Sequence, residues 1–170
     1  MHKGKLFWIT GLSGAGKTTI GTLLYNYLKE KQDNIVFLDG DIVREVYQNK
    51  DYTTEGRKKI SYMNMRLCKM LTDQGIDVVA AFIAMHDEYR NWNRQNIENY
   101  NEIYLHVPME ELIRRDSKGL YKRALNHEIT DVYGIDLPFE EPKHPDIRII
   151  NDFSYTPEEV LDIIVKGLGL

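Results

Sequence analysis

A glycine-rich loop that carries one lysine and one threonine is the strongest chemical signal in the sequence. The loop fits the pattern G-x-x-x-x-G-K-[ST] without a mismatch and consists of Gly11, Leu12, Ser13, Gly14, Ala15, Gly16, Lys17 and Thr18. Its glycines allow successive backbone N–H groups to point at a phosphate, and the positive N-terminus of a following helix strengthens that attraction. The spacing predicts a nucleoside triphosphate site in which Lys17 reaches the β- and γ-phosphates and the Thr18 hydroxyl binds Mg²⁺. The alternative is a glycine-rich turn with an incidental lysine.

Two aspartates on either side of one glycine form a second group with a chemical use. Asp39 and Asp41 follow the apolar run 35–38, and Arg44, one helical turn further on, could hold an acceptor phosphate. The carboxyl ends of neighbouring parallel strands open on one crevice, so both carboxylates are expected to face the glycine-rich loop. One carboxylate would accept the proton of an attacking hydroxyl, and the other would position that hydroxyl or a water on magnesium. The pattern favours a small kinase over the alternative, an Asp-Gly turn that caps a helix.

A basic segment opens the loop-rich part of the chain. Its five cations fall within ten residues and are Arg114, Arg115, Lys118, Lys122 and Arg123. Such a run is typical of a solvated helix face. Here it precedes a stretch in which glycine and proline cluster, which favours a lid over about residues 114–145. Cations that arrive when a lid closes would offset charge developing on the transferred phosphoryl group and would exclude water.

Short apolar runs that alternate with amphipathic stretches must position these groups. The expected strands cover residues 6–10, 35–38, 76–85, 103–107 and 147–150, and the expected helices cover 18–31, 54–74, 88–98, 109–115 and 157–166. The last helix begins with a capping box, T-P-E-E at 156–159, with proline in its first turn. This alternation predicts an α/β fold, a three-layer sandwich around a mostly parallel sheet.

Length and composition narrow the function further. A chain of 170 residues with a formal net charge of -4 predicts a single domain, 1–170, that has no affinity for nucleic acid polymers. One cysteine excludes an internal disulfide, and neither a secretory signal nor a membrane-spanning run is expected, so we predict a cytoplasmic protein. The N-K-D-Y string at 49–52 does not supply the guanine-reading N-K-x-D of a GTPase switch. A kinase that acts on a small molecule remains.

Several motifs together resemble the adenylylsulfate (APS) kinase family over nearly the whole chain. Besides the glycine-rich loop they are L-D-G-D-x-V-R at 38–44, R-D-x-K-G-L-Y-K at 115–122 and Y-G-I-D-x-P-F-E-x-P at 133–142. The family reads R-D-x-K-G-L-Y-K followed by F-T-G-I-D-x-P-Y-E-x-P. The resemblance implies a P-loop kinase fold, often dimeric, that uses ATP and Mg²⁺ to phosphorylate the ribose 3′-hydroxyl of a nucleotide.

The same resemblance implies roles for individual residues. Asp41 would be the catalytic base and Asp39 its companion, with Lys17 as the catalytic cation. At the ATP it adds Thr19 and Arg115 to the glycine-rich loop. At the acceptor it implies Asp39, Asp41, Arg44, Tyr52, Arg57, Ile83, Lys118, Gly119 and Leu120, of which Arg44, Arg57 and Lys118 would line the anionic group.

The departures from the family pattern gather in the acceptor half. The family reads F-S-x-x-D-R-x-x-N-I-R-R where residues 52–63 stand here, so Ile60 replaces the asparagine, and Tyr62 and Met63 replace the paired arginines. Val132 takes the place of the second phenylalanine that flanks the acceptor base. An aromatic platform contributes about 1–3 kcal/mol per base by stacking, so its loss suits a smaller base. Ala84 replaces a serine that is phosphorylated in some members, which favours direct in-line transfer.

An intact donor half beside a rebuilt acceptor half predicts a related acceptor with another base and head group. We expect cytidine diphosphoramidate, the substrate of one branch that resembles APS kinase and acts in capsule biosynthesis. The alternative is adenylylsulfate itself, with the pocket changes as tolerated variation. An alternative of another class is a non-catalytic nucleotide-binding sensor, against which the intact Lys17, Thr18 and Asp41 speak.

Overall fold

A five-stranded parallel sheet forms the centre of the protein in a computed structural model that describes residues 2–116, 118–152 and 154–170. The strands lie in the order β2-β3-β1-β4-β5. Their bounds are β1 (Lys5–Thr10), β2 (Ile35–Asp39), β3 (Asp77–Phe82), β4 (Asn99–His106) and β5 (Ile147–Ile150). The helices are α1 (Lys17–Lys29), α2 (Gly40–Val46), α3 (Thr54–Asp73), α4 (Asp87–Asn96), α5 (Met109–Arg115), α6 (Leu120–Leu125) and α7 (Pro157–Leu168).

Helices cover both faces of this sheet, which explains why its strands are apolar without alternation. All six residues of β3 are buried, as are the last five of β1. One hydrophobic cluster lies between the sheet and helices that include α1 and α7, and a second lies on the side of α3 and α4. A strand buried on both sides needs apolar residues at every position. The predicted α/β sandwich with a parallel sheet is confirmed.

All ten elements expected from the sequence are present, with ends that differ by a few residues. α5 begins and ends at the expected residues. The strand β3 is shorter than its expected span of 76–85, because it begins at Asp77 and ends at Phe82. The capping box of α7 forms, because Glu159 N donates to Thr156 Oγ1 at 3.2 Å and Thr156 N donates to Glu159 Oε2 at 2.8 Å. Two short helices, α2 and α6, were not expected as elements, and both lie beside the glycine-rich loop's cleft.

The segment from residue 116 to β5, expected as a loop-rich lid, contains α6 and otherwise mostly irregular chain in its described residues. Its first part packs against the end of the sheet where the glycine-rich loop lies. Within the described ranges, none of the helices combines the length and the apolar character that a bilayer crossing requires.

Candidate active site

A cleft of about 590 Å³ lies at the carboxyl end of the sheet, where β1, β2 and β3 stop. Strand register explains why the loops meet there, since Thr10 pairs with Phe82 and Asp39 pairs with Ala81. Of the residues singled out from the sequence, the cleft is lined by Ser13, Gly14, Gly16, Lys17, Thr18, Thr19, Asp39, Asp41, Tyr52, Arg57, Ile83, Arg115, Lys118, Leu120, Arg123 and Val132. The residues expected at the donor and those expected at the acceptor therefore share one cavity.

The glycine-rich loop turns from β1 into α1 with left-handed glycines. Gly14 has φ 81°, and Gly16, the residue that caps α1, has φ 89°. A side chain at Gly16 would also meet Asn151 Nδ2 at 3.1 Å. Asn151 is buried and donates to Ala15 O at 3.0 Å, which fixes the loop from the end of β5. The turn from the loop into the N-terminus of α1, the kind of place where an anion can bind, is thereby held in position.

The Lys17 ammonium is the cation at the centre of this loop. Its Nζ donates to Leu12 O at 2.8 Å, so the side chain folds back over the loop. Burial, together with the nearby Lys118 charge, lowers the pKa of Lys17 to about 8, against the opposing effect of the Asp41 and Asp39 carboxylates. A triphosphate beside this ammonium would favour the charged form and raise the pKa again.

ATP affinity is therefore expected to fall with rising pH. Below pH 8 Lys17 carries its proton in the free protein, and as pH rises through the pKa of about 8 that charge is lost unless the nucleotide restores it. We expect the Kd for ATP to rise about tenfold between pH 7 and pH 9. Calorimetry in buffers of different ionisation enthalpy should show proton uptake on binding near pH 8.5. An affinity that is flat across this range would contradict the lowered pKa.

Asp39 joins the second strand to the glycine-rich loop. Its Oδ2 accepts from Thr18 Oγ1 at 2.6 Å, while its Oδ1 accepts from Asp41 N at 3.0 Å and Ile42 N at 3.4 Å. The alternative prediction for the D-G-D string, a turn that caps a helix, is also confirmed, because Asp39 is the N-cap of α2. One carboxylate both starts α2 and holds the Thr18 hydroxyl.

Asp41 stands in the first turn of α2 and is turned toward solvent within the cleft. Its Oδ2 lies 2.9 Å from Lys118 Nζ, and the two side chains are 73% and 65% exposed. An exposed pair of this kind contributes little to stability. The pair nevertheless brings the Asp41 carboxylate and the Lys118 ammonium together beside Lys17.

The R-D-x-K-G-L-Y-K string builds the α5–α6 corner that carries Lys118. Asp116 accepts from Tyr121 N at 3.0 Å and Lys122 N at 2.8 Å, which satisfies two of the first N–H groups of α6. Tyr121 is buried and donates its hydroxyl to Ser13 O at 2.7 Å. The string therefore ties the corner to the glycine-rich loop by one hydrogen bond, and Lys118 projects from it toward Asp41.

Tyr121→Phe is expected to loosen this connection. The substitution removes the donor to Ser13 O and leaves that carbonyl without the bond, at a cost of about 1–3 kcal/mol. We expect a lower melting temperature and a KM for ATP that rises several-fold. Tyr27→Phe is the matched control, because the Tyr27 hydroxyl also donates to a carbonyl, Leu170 O, but at the far end of α1. An unchanged KM for ATP in Tyr121→Phe would show that the tie does not hold the loop.

The other end of the cleft is aromatic and contains a guanidinium. Arg57 Nε donates to Tyr52 O at 2.8 Å, and Arg57 Nη2 donates to Asp131 O at 2.7 Å. The Arg57 guanidinium also lies over the rings of Tyr52 at 5.6 Å and Tyr133 at 5.1 Å. Ile83 adds an apolar wall. A planar ring system with an anionic substituent fits this mixture of rings, aliphatic carbon and positive charge.

Some residues expected at the site stand just outside it. Among the described residues that line the cleft, Gly11, Leu12, Ala15, Arg44 and Gly119 do not occur. Arg44 instead donates to Asn49 Oδ1 at 2.9 Å and Asp51 O at 3.0 Å, with its guanidinium 4.4 Å from the Tyr52 ring. It organises the turn that carries Tyr52, and its contact with the acceptor stays a prediction.

The basic segment divides in the structure. Arg114 and Arg115 both bond to Glu111, yet of the two only Arg115 is among the described cleft residues.

The positions that depart from the family pattern on α3 also lie outside the described cleft lining: Ile60 is buried, Tyr62 hydrogen-bonds to Glu88, and Met63 is partly exposed.

Several residues that line or support the cleft were not predicted as site residues. They are Gly40, Ala81, Leu112, Tyr133 and Asn151. Tyr133 is the most consequential because it places an aromatic ring beside Val132, which stands where the family has a phenylalanine. Polar residues directly after the last strand were the available signal for Asn151.

The parallel sheet in this strand order, the left-handed glycine loop before α1 and a carboxylate-bearing cleft at the strand ends define a P-loop kinase. The adenylylsulphate kinase family model matches residues 3–150, and the chain belongs to that family.

Individual relatives agree with this assignment. A cytidine diphosphoramidate kinase of Campylobacter jejuni is 43% identical over 165 residues, which cover 97% of this chain and 96% of that protein. An adenylyl-sulfate kinase of a Picosynechococcus species is 37% identical, with 97% of this chain and 94% of that one covered. The structure of the Mycobacterium tuberculosis APS kinase CysC in complex with AMPPNP and APS superposes with a TM-score of 0.89 at 30% identity, and each chain is covered completely. The expected family and the use of ATP by that family are confirmed.

Proposed function

We propose that the protein transfers the γ-phosphoryl group of ATP to the ribose 3′-hydroxyl of cytidine diphosphoramidate, in capsule phosphoramidate biosynthesis. The observation that carries the proposal is one cleft that holds Lys17, the exposed Asp41 carboxylate and the Tyr52–Arg57 cluster. The full-length similarity to the C. jejuni enzyme supports the choice of acceptor. Adenylylsulfate is the second candidate acceptor, supported by the remaining relatives.

The reaction requires one proton and one phosphoryl group to move. The acceptor's 3′-oxygen forms a bond to the γ-phosphorus, the bond from that phosphorus to the β–γ bridging oxygen breaks, and ADP leaves. The proton of the hydroxyl passes to the Asp41 carboxylate, which is exposed to the cleft. Lys17 stabilises negative charge on the β- and γ-phosphates, and Arg115 and Thr19 contact the nucleotide.

Asp41 rather than Asp39 is the better base on geometry. Both oxygens of Asp39 accept hydrogen bonds, from the Thr18 hydroxyl and from the first turn of α2. Proton acceptance by Asp39 would disrupt the contacts that position the loop. The Oδ2 of Asp41 has Lys118 as its partner among the described contacts, and both side chains are largely exposed, so an acceptor phosphate can compete for this cation.

The donor atoms near the loop suit Mg²⁺. The Thr18 hydroxyl and the Asp39 carboxylate are oxygen ligands 2.6 Å apart, and no group of three His, Cys, Asp or Glu side chains with metal-ligand geometry occurs in the described residues. Mg²⁺ is usually bound by one or two protein oxygens together with substrate phosphates and water. Bound there, it would neutralise charge on the β- and γ-phosphates.

The acceptor end of the cleft supports a nucleotide with an anionic head group. Arg57 and Lys118 are the described cations that line the cleft toward Tyr52 and Asp41. Charge-assisted hydrogen bonds from these cations suit a terminal phosphoramidate as well as a terminal sulfate, so the choice between the two acceptors rests on the similarity to the C. jejuni enzyme.

The test is ADP release with MgATP and a panel of adenylylsulfate, cytidine diphosphoramidate, CDP and CMP. Preference for cytidine diphosphoramidate supports the proposal, and preference for adenylylsulfate assigns the protein to sulfate activation. No ADP with any acceptor, despite measurable ATP binding, would favour a nucleotide sensor. NMR of the product distinguishes 3′- from 2′-phosphorylation.

We also propose a homodimer that acts in the cytoplasm, where its donor ATP is available. Exposed apolar side chains on two consecutive helices support the dimer: Ile42 and Val46 on α2, and Met63 and Met70, one heptad apart, on α3. Exposed apolar surface commonly marks protein contacts where it is contiguous. Sedimentation equilibrium would show a mass near twice 19.9 kDa if the dimer forms.

A further inference from the structure

Helix α5 presents one of its faces to the glycine-rich loop. Leu112 and Arg115 both line the cleft, whereas Glu111 and Arg114 do not occur among its described lining residues. Residues three apart lie on one face of a helix. A Cβ built on Gly14 would lie 3.6 Å from Leu112 Cδ2, so this face packs close to the loop. Arg115 therefore belongs to the part of the cleft that holds the loop.

The backbone at Arg115 is fixed by the corner that follows α5. Asp116 N donates to Leu112 O at 2.9 Å, which closes the last turn of the helix. The Asp116 carboxylate accepts from Tyr121 N at 3.0 Å, and the Tyr121 hydroxyl donates to Ser13 O at 2.7 Å. The position of the Arg115 backbone relative to the glycine-rich loop is thereby determined. The direction of its long side chain is a separate matter.

Glu111 restrains that side chain from outside the cleft. Its Oε1 accepts from Arg115 Nε at 2.6 Å. Four residues is the spacing at which a glutamate and a following arginine meet on a helix. A guanidinium carries its donors in one plane, so a bond at Nε restricts the orientation of the whole group. The direction of the Arg115 guanidinium is therefore influenced by a residue that does not line the cleft.

Arg114 holds the Glu111 carboxylate in turn. Nε and Nη2 of Arg114 donate to the two oxygens of Glu111 at 2.8 and 2.6 Å, which makes a bidentate pair. Hydrogen bonds from Arg114 and Arg115 lower the pKa of Glu111 to about 2. The carboxylate consequently keeps its charge at every pH used to assay a kinase.

Helix stability alone does not explain this arrangement. Exposed ion pairs contribute little to stability, and Glu110 already supplies an acidic residue in the first turn of α5. A negative charge beside Arg115 also weakens the attraction of that arginine for phosphates. The advantage that remains is a defined direction for the Arg115 guanidinium, since a mobile arginine loses rotamer entropy when a ligand immobilises it.

We propose that Glu111 is a positioning residue for ATP and acts through Arg115. The proposal rests on the contact between Arg115 and the nucleotide that forms part of the function proposed above. An arginine whose direction is already restrained loses less entropy on binding, so ATP binds more tightly than it would to a mobile arginine.

The test is the Kd for ATP of Glu111→Gln, measured by calorimetry, together with its steady-state constants. We expect the Kd and the KM for ATP to rise about five- to tenfold, while kcat and the KM for the acceptor stay within about twofold. The direction of the change is diagnostic, because loss of a negative charge alone would strengthen the binding of ATP.

Glu110→Gln is the matched control. It removes an exposed carboxylate from the same turn of α5, outside the described cleft lining, and should leave the Kd for ATP within about twofold. Both variants should melt close to the wild type. A double-mutant cycle then tests the path of the effect: in an Arg115→Met background, Glu111→Gln should change the Kd for ATP by less than about twofold.

The outcomes separate this inference from the proposed function. Weaker ATP binding by Glu111→Gln alone supports the inference whichever acceptor the protein prefers, and a wild-type protein that binds no ATP overturns both. A Kd for ATP that is unchanged or lower in Glu111→Gln overturns the inference alone, as does an equal effect in the Arg115→Met background. A lower melting temperature with parallel changes in both KM values would also overturn it, because that pattern indicates a structural role.

Discussion

Replacement of Asp41 by asparagine is expected to lower kcat by a factor of about 10²–10⁴ while the Kd for ATP changes by less than about threefold. The amide has the same shape but accepts no proton from the 3′-hydroxyl. ATP binding should be preserved because the glycine-rich loop is held by Asp39, Asn151 and Tyr121 rather than by Asp41. Rapid-quench kinetics with the preferred acceptor and a separate ATP titration would measure the two quantities.

Two further variants make the result specific. Glu45→Gln changes an exposed carboxylate to its amide on the same helix, outside the described cleft lining, and should keep full activity. Asp39→Asn weakens the contact with Thr18 and the cap of α2, so it should impair ATP binding as well as turnover. If Asp41→Asn retained the wild-type kcat and Asp39→Asn lost it with ATP affinity intact, Asp39 would be the base and the assignment made here would be reversed.

The donor half of the site could be predicted because its chemistry is local in sequence. Eight consecutive residues build the glycine-rich loop, and the pair Asp39 and Asp41 follows a recognisable strand. Parallel-sheet geometry then brings the two together without further information. Helix α5 was predicted to the residue because its apolar spacing and its acidic first turn coincide.

The contacts that hold the site together could not be predicted because they join distant parts of the chain. Tyr121 reaches Ser13 over 108 residues, Asn151 reaches Ala15 over 136, and Tyr133 reaches His86 over 47. Nothing in the local pattern around these residues distinguishes a side chain that forms a supporting hydrogen bond from one that contacts only water. Only the folded sheet determines which side chains meet.

Arg44 illustrates a second reason for failure. A cation one turn after the carboxylate proposed as the base has the right type and spacing for a phosphate contact, yet the donors of Arg44 bond to Asn49 and Asp51. The short helix α2 that orients it lacks a hydrophobic repeat, since Val43 is its buried residue. A seven-residue helix of this kind is fixed by its Asp39 cap rather than by periodicity.

Replacement of Lys17 by alanine is expected to reduce kcat/KM for ATP by a factor of about 10²–10⁴, with binding and transfer both affected. The ammonium is the described cation within the glycine-rich loop, and its burial there already lowers its pKa to about 8. Burial of this positive charge destabilises the free protein, which indicates that Lys17 is placed to bind an anion rather than to stabilise the fold. Lys17→Ala should therefore leave the melting temperature unchanged or slightly higher. Lys166→Ala, an exposed lysine of α7, is the matched control.

Lys17→Arg separates charge from geometry. Arginine keeps the positive charge at high pH but presents it as a planar fork that is too large for the contact with Leu12 O. We therefore expect Lys17→Arg to retain part of the ATP affinity, to remove the loss of affinity between pH 7 and pH 9, and still to transfer the phosphoryl group poorly. If Lys17→Ala were fully active, the triphosphate would have to bind elsewhere, and the functions proposed for Thr18, Asp39 and Asp41 would fall with it, since all three are defined by their position relative to that lysine.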